Sequence, residues 1–279
     1  MLHESQTLFL VEKAVRSIES GVDDGAVEYV RGIANQLNIS HHHLHRTFAA
    51  AVGAPPGAYR RLVSMHAAAL RLQWSHEPIG RIGYAVGYAS QAAFTRVFDR
   101  FFGTLPGRYR TAYGRARTTV PPVESAIFVS VHDGIPLLLL AKRYRGHPTD
   151  IDGFWDDFLQ RYRAVIGQYS RPLRRVGLIY NDWRADPDNL VRYDCCVVVE
   201  PRDSVDLRNP PPGLHAVLSR EREYAGYCFP SGTFDRQRAY AEIGDSLFFR
   251  RSLAVTEDPV MELHDEARPG ETTLLYAVE

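Results

Sequence analysis

Ser90 to Arg110 reads SQAAFTRVFDRFFGTLPGRYR, and fifty residues earlier Ser40 to Arg60 reads SHHHLHRTFAAAVGAPPGAYR. Eight residues of mixed type recur at that one offset: Ser40/Ser90, Arg46/Arg96, Phe48/Phe98, Gly53/Gly103, Pro56/Pro106, Gly57/Gly107, Tyr59/Tyr109 and Arg60/Arg110. A fixed offset over so many residue types is an internal duplication. Each copy predicts an N-cap Ser, a helix of about three turns, a Gly that ends it and a Pro-Gly turn.

Helical spacing separates two faces in each copy. Leu44, Phe48 and Ala51 share one stripe, as do Phe94, Phe98 and Phe101, and both stripes are expected to be buried. The other face carries His42, His45, Arg46 and Ala49, matched by Ala92, Thr95, Arg96 and Asp99. An outward face with an Arg among small neighbours suits the major groove, where Arg reaches guanine edges or phosphates. The segments 30–37 (VRGIANQL) and 79–88 (IGRIGYAVGY) read as the supporting helices of two helix-turn-helix units. The alternative is an ordinary helical repeat with solvated polar faces. The candidate DNA contacts are His42, His45, Arg46, Gln91, Thr95 and Arg96.

Residues 80–110, GRIGYAVGYASQAAFTRVFDRFFGTLPGRYR, closely resemble the AraC/XylS transcription regulators, and with the first copy the likeness covers about Leu8 to Tyr113. The resemblance implies two helix-turn-helix units, double-stranded DNA as partner and RNA polymerase as a further one. Two departures stand out. Gly80 and Gly83 replace a usual Asp and Ala, which softens that helix by up to about 1 kcal/mol per Gly. Asp99 stands where a basic residue is usual, against a phosphate contact there.

The net charge of zero hides an asymmetry. Residues 1–118 hold 14 Lys+Arg against 8 Asp+Glu, leaving 19 against 25 in the remainder, and seven of the 11 His lie in the first part. A basic part joined to an acidic one fits a nucleic-acid module attached to something else. The opening MLHESQTLFLVEKAV is interrupted by His3, Glu4, Glu12 and Lys13, which predicts no secretory signal. The apolar run at 136–141 is too short for a membrane span. Three Cys (Cys195, Cys196, Cys228) form no disulfide framework or metal spacing, which suits a reducing cytoplasm. Cys195 and Cys196 are expected on opposite faces of a strand as small core residues. His41 and His45 stand one helical turn apart, but no Cys, Asp or Glu nearby completes a metal site. No metal and no cofactor is expected.

Tyr59 to Ser75 lacks Gly and Pro and reads as one helix. Its roughly 16 residues span about 24 Å, a spacer that sets two recognition helices into successive major grooves roughly 34 Å apart. A single chain is then sufficient for two half-sites, while the acidic part leaves a homodimer open. Gly114 to Pro122 reads as a linker. Beyond it, strands are expected at Ser125–Val131, Leu137–Tyr144, Arg175–Tyr180, Tyr193–Glu200, Leu214–Glu223, Met261–His264 and Thr273–Val278. Helices are expected at Gly153–Ile166, with Phe154, Phe158 and Tyr162 on one stripe, and at Phe234–Arg250. The fold class is therefore multidomain: an all-α tandem helix-turn-helix domain (1–113), a linker (114–122) and an α+β domain (123–279) with helices on a largely antiparallel sheet.

The blocks VGLIYNDW, RYDCCVVVEP, PPGLHAVLSREREYAG, EDPVMELHDEA and TTLLYAVE resemble the GyrI-like small-molecule-binding domain, a duplicated β-α-β-β module, over about Val123 to Glu279. The likeness implies that Glu262, in the D-P-x-x-E block with Asp258 and Pro259, lies in a pocket for cationic or amphipathic organic effectors. Trp183 replaces the Pro common in the first block. Read without the family, Glu262 is a surface residue. A carboxylate among rings attracts an organic cation by charge and ring quadrupole together. Tyr180, Trp183, Tyr193, Tyr227, Phe229 and Tyr276 supply rings, each of which also suits a core, as does Trp155. The expected function is a DNA-binding regulator that is not an enzyme and senses a small molecule. The alternatives are hydrolysis by Glu262 with Trp183, or a second domain that binds a protein.

Overall fold

The computed structural model describes residues 10–11, 13–15, 17–19, 26–117, 126–131, 136–169, 173–186, 188–200, 210–219, 221–230, 234–245, 247, 253, 255–256, 258–264 and 270–278. By backbone contacts the chain divides into two compact units, Met1–Leu72 with His76–Arg110, and Gln73–Ser75 with Thr111–Glu279.

The part of the chain up to Arg117 is helical: α1 (Ala26–Gln36), α2 (His41–Val52), α3 (Pro56–Trp74), α4 (Ile79–Ala85), α5 (Gln91–Phe102) and α6 (Pro106–Arg117). The duplicated signals act as expected. Ser40 and Ser90 accept hydrogen bonds from the backbone N–H of His43 (3.1 Å) and Ala93 (3.2 Å), capping α2 and α5. Gly53 and Gly103 end these helices at φ +79° and +66°, each returning its N–H to a carbonyl of the last turn. The turn before α2 places Asn38 at φ 53°, and the turn before α5 places Gly87 at φ 88°. Both residue types tolerate the left-handed region. The second turn is one residue longer than the first.

Packing repeats as well. Phe48 meets Tyr59 edge-on at 5.6 Å, and Phe98 meets Tyr109 edge-on at 5.3 Å. Leu44, Phe48, Phe94 and Phe98 are buried, Phe101 is half-buried, and Ala51 is exposed against expectation. The 3.6-residue turn carries the apolar stripe on to Val52, which packs against the core in place of Ala51. Gly83 has a packing role beyond its low helix propensity: a Cβ there would stand 2.9 Å from Phe94 Cβ. The spacer α3 has 19 residues, about 28 Å. Helix continues through Gly114–Arg117, inside the stretch read as linker, because its Ala and Arg favour helix. The rest of that stretch, 118–122, lies outside the described residues.

The second unit carries an eight-stranded sheet among its described residues: β1 (Ile127–Val131), β2 (Leu138–Gly146), β3 (Arg175–Ile179), β4 (Val191–Val198), β5 (His215–Leu218), β6 (Glu223–Phe229), β7 (Val260–His264) and β8 (Thr272–Val278). Its order is β1-β6-β8-β7-β3-β4-β2-β5, and all these neighbours pair antiparallel. Helices α7 (Ile151–Arg161) and α8 (Arg163–Tyr169) connect β2 to β3, and α9 (Arg236–Asp245) lies between β6 and β7. Followed from its two edges, the sheet runs β1-β6-β8-β7 and β5-β2-β4-β3. Each half is thus strand, helix, strand, strand, with one outer strand taken from the other half. The halves meet at β3 and β7, where Gly177 stands opposite Glu262.

One sheet face forms an apolar core with Leu139, Val176, Leu178, Cys196, Met261 and Leu275. The other face receives α7, against β2 and β4, and α9, against β6 and β8. Cys195 and Cys196 are both buried free thiols, and burial pushes both pKa values up.

Three expected elements differ. The strand read over Leu214–Glu223 is two, β5 and β6, which lie in opposite halves of the sheet. Polar residues at 219–222 part them, and Gly226 interrupts the apolar pattern of β6. A Cβ on Gly226 would stand 1.8 Å from the Leu274 carbonyl oxygen, so the close β6–β8 approach requires Gly. The helix read over Gly153–Ile166 breaks at Tyr162, whose hydroxyl donates to the Gly213 carbonyl at 3.2 Å. Its buried stripe is Ile151, Trp155 and Phe158, while Phe154 turns to the Tyr144 ring. The helix read over Phe234–Arg250 is seen as Arg236–Asp245, with 246 and 248–250 outside the described residues.

Candidate functional site

In the first unit the capped helices α2 and α5 present equivalent outward faces. His42, Arg46, Gln91 and Arg96 are exposed, and His45 and Thr95 are half-exposed. Asp99 is exposed on the same face of α5 as Arg96. The last residues of the repeat play a different part: Arg60 is buried, and Arg110 donates to the Glu77 carbonyl at 2.7 Å. Of the duplicated arginines, Arg46 and Arg96 are the pair left to face a ligand. The His41 and His45 rings lie 4.7 Å apart. Among the described residues no three His, Cys, Asp or Glu gather as metal ligands would.

In the second unit Glu262 sits on the helix-bearing face at the seam between the two halves, with no solvent exposure. Met261 and Leu263 face the opposite core, as the strand period requires. Arg236, at the start of α9, forks the carboxylate: Nε donates to Oε2 and Nη2 to Oε1, each at 2.9 Å. His264 Nε2 donates to Oε1 at 2.8 Å, because an ionised carboxylate only accepts. Burial alone would raise the Glu262 pKa. The Arg236 charge and the bonds from His264 and Arg236 outweigh it and hold the pKa down to about 2.

Rings enclose this ion pair. The Arg236 guanidinium carbon lies 5.9 Å from the ring centres of both Tyr193 and Phe234, and Phe234 in turn packs on Phe229 at 5.3 Å. The Tyr193 hydroxyl accepts from Trp155 Nε1 at 3.0 Å and passes over Gly177, where a Cβ would stand 1.9 Å from it. Burial, then the charge of Glu262, pushes the Tyr193 phenol well above its ordinary pKa. The Trp155 and His264 rings lie 6.1 Å apart.

The other ring candidates separate. Trp183 is buried against Tyr240 at 4.6 Å, and Tyr240 reaches Tyr276 at 5.9 Å. Tyr227 packs on Phe128. Tyr180 lies on the opposite sheet face, where its hydroxyl donates to Asp194 Oδ2 at 2.8 Å. Its strand period places it there, one residue past Ile179. Arg143 and His215 also donate to Asp194, which is wholly buried. Burial would raise the Asp194 pKa, but Arg143 and then His215 hold it far below the usual carboxylate range. Of the residues expected around Glu262, Tyr193 is beside it, Phe229 is linked through Phe234, Tyr227 shares its sheet face with Leu274 of β8 between them, Trp183 packs on Tyr240, and Tyr180 lies on the opposite face.

Sequence reasoning missed Arg236, Phe234 and the role of Trp155. Strand alternation does put Val260, Glu262 and His264 on one face, with Met261 and Leu263 on the other, but it gives His264 no part in the site. Arg236 has no local signal, since its partner is 26 residues away.

Residues 33–112 match the helix-turn-helix domain family. YbfP, an uncharacterized HTH-type transcriptional regulator of Bacillus subtilis, is 33% identical over 102 residues, 36% of this chain and 35% of YbfP. The multiple antibiotic resistance protein MarA of Salmonella typhimurium is 32% identical over 91 residues, 32% of this chain and 72% of MarA. The transcriptional regulator Rob of the same species is 30% identical over 146 residues, 46% of this chain and 49% of Rob. The chain thus spans 35% of the length of YbfP and about half that of Rob. With MarA matched over most of its length, the chain belongs to the AraC family of helix-turn-helix transcription regulators.

Proposed function

We propose that this chain is a ligand-responsive transcription regulator, with a DNA reader at about 1–113 and an effector-binding domain at about 123–279. The observation that carries the reader is the equivalent exposure of Arg46 and Arg96 on two helices with matching caps. Each guanidinium can fork a guanine edge, with His42, His45, Gln91 and Thr95 beside it. RNA polymerase is the protein partner that this activity implies. The test is selection of duplexes from a random pool by the full chain, followed by footprinting. Protection of two major-groove segments about one helical turn apart is expected, and no enrichment over the starting pool would contradict it.

The effector site of this reading is the Glu262 cluster. A GyrI-like duplicated module is supported by the repeated strand, helix, strand, strand order and by Glu262 at the seam between the repeats. The reading of the site's chemistry is supported by its present occupant, a guanidinium set before a buried carboxylate and near two rings. An organic cation bearing a ring is therefore the proposed effector class. Catalysis by Glu262 is not part of this reading: a carboxylate with a pKa of about 2 is a poor general base near neutrality. Calorimetry of the full chain with benzyltrimethylammonium tests it. Glu262→Gln should weaken binding at least about tenfold, and an unchanged affinity would remove Glu262 from the site.

A further inference from the structure

The cation position beside Glu262 is filled by the chain itself. Moving outward, three charges follow one another: Glu262, with a fully buried side chain; Arg236, with a side chain 13% exposed; and Asp152, with one 79% exposed. Arg236 Nη2 bridges the two acids, 2.9 Å from Glu262 Oε1 and 3.0 Å from Asp152 Oδ1. Asp152 belongs to the first turn of α7, and Arg236 opens α9.

We propose that Arg236 is a tethered competitor for the effector site, which an incoming organic cation displaces from Glu262 onto Asp152. The inference rests on the reading of Glu262 as the effector carboxylate and adds how that site is kept closed and what opens it. A carboxylate without solvent contact needs a counter-ion to remain ionised, so the ligand-free chain must supply one. Arg236 supplies it and already touches a second, solvated carboxylate that can hold it after exchange. His264 keeps its own bond to Oε1 throughout, so the carboxylate stays oriented for the newcomer.

Two consequences follow from the tether. Its high local concentration sets a threshold that small inorganic cations and weak amines do not pass. A cation that also covers Tyr193, Phe234 and Trp155 gains ring contact and apolar burial that a guanidinium on its stem does not match. Exchange also cuts an ionic link: α9 is tied to both β7 and α7 before binding and to α7 alone after it. Arg236 is thus the residue that decides which cations enter.

The experiment is calorimetry of the full chain and its Arg236→Lys and Arg236→Ala variants. The probes are benzyltrimethylammonium and its uncharged carbon isostere, neopentylbenzene. Lys keeps the charge but cannot fork the carboxylate, so it competes less well. Cation affinity should rise from wild type through Arg236→Lys to Arg236→Ala, by about tenfold or more in all, while the neutral probe changes little. Asp152→Asn in the otherwise wild-type chain should weaken cation binding, since the displaced arginine loses its second partner. If Arg236→Ala fails to fold, the Lys variant carries the comparison. Equal cation affinity across the series, or an equal rise for the neutral probe, would overturn the competitor and leave Glu262 as an effector site. No cation binding by wild type or any variant would overturn the competitor and the cation-sensing reading together.

Discussion

Arg236 and Glu262 are 26 residues apart in the chain and meet as a two-bond fork at the centre of the second unit's sheet. Glu262 is not tolerable there alone: a buried charge left without its counter-ion costs about 3–5 kcal/mol. The fork therefore ties the start of α9 to β7, and the state of Glu262 is bound up with the stability of this unit.

That link predicts acid sensitivity with a definite sign. Glu262 titrates at about 2 in the folded chain, below its ordinary 4.5. Above pH 4.5 its contribution to stability is fully present. Between pH 4.5 and 2 the unfolded chain takes up a proton that the folded chain refuses, so stability falls as pH falls. The loss is on the order of 3 kcal/mol, and Asp194, shifted in the same direction, adds to it. Urea unfolding from pH 7 to 3 should show a shallower acid decline in Glu262→Gln than in wild type. Parallel profiles would deny that the pair is ionised in the fold.

Gly83→Ala weighs two opposed effects in α4. Ala improves helix propensity by up to about 1 kcal/mol. Its Cβ, however, would stand 2.9 Å from Phe94 Cβ and 3.0 Å from Cγ. Phe94 is fully buried and packed on Phe98, so it has little room to yield. Overpacking costs about 1–3 kcal/mol, and the net result should be a lower Tm. An unchanged or raised Tm would show that Phe94 gives way freely.

The division between what was legible and what was not follows the range of the interactions. Helices α2 and α5 could be read because Ser40, Ser90, Gly53 and Gly103 act within one turn of their own position. The buried Phe48 and Phe98 followed from period alone. By contrast β6 was hidden, because Gly226 breaks its apolar pattern for the sake of the Leu274 backbone, nearly fifty residues on. Glu262 was found through a family likeness and its strand face by alternation. Its partner Arg236, and the separation of Tyr180 from Tyr193, depend on strand order and helix placement, which no local pattern encodes. Trp155 was rightly read as buried, yet its indole N–H on Tyr193 puts it in the wall of the site.

Two recognition helices on one spacer predict that a single chain fills a minimal DNA site. Helix α3 spans about 28 Å against a groove repeat of roughly 34 Å. Mass measurement of the complex on a selected duplex of about two helical turns should give one chain per duplex. Two chains bound with no one-chain species at any ratio would mean that the tandem units need a partner copy.

The most direct measurement of the account is a gel-shift titration of Arg46→Ala and Arg96→Ala on the duplex selected by the wild-type chain. Both side chains are exposed and hold equivalent places on the two capped helices, so each should fold normally. Each substitution should weaken specific binding by about 1–3 kcal/mol, with a smaller effect on unrelated duplex. If both variants bind the selected duplex as the wild type does, these helices do not read DNA through their duplicated arginines.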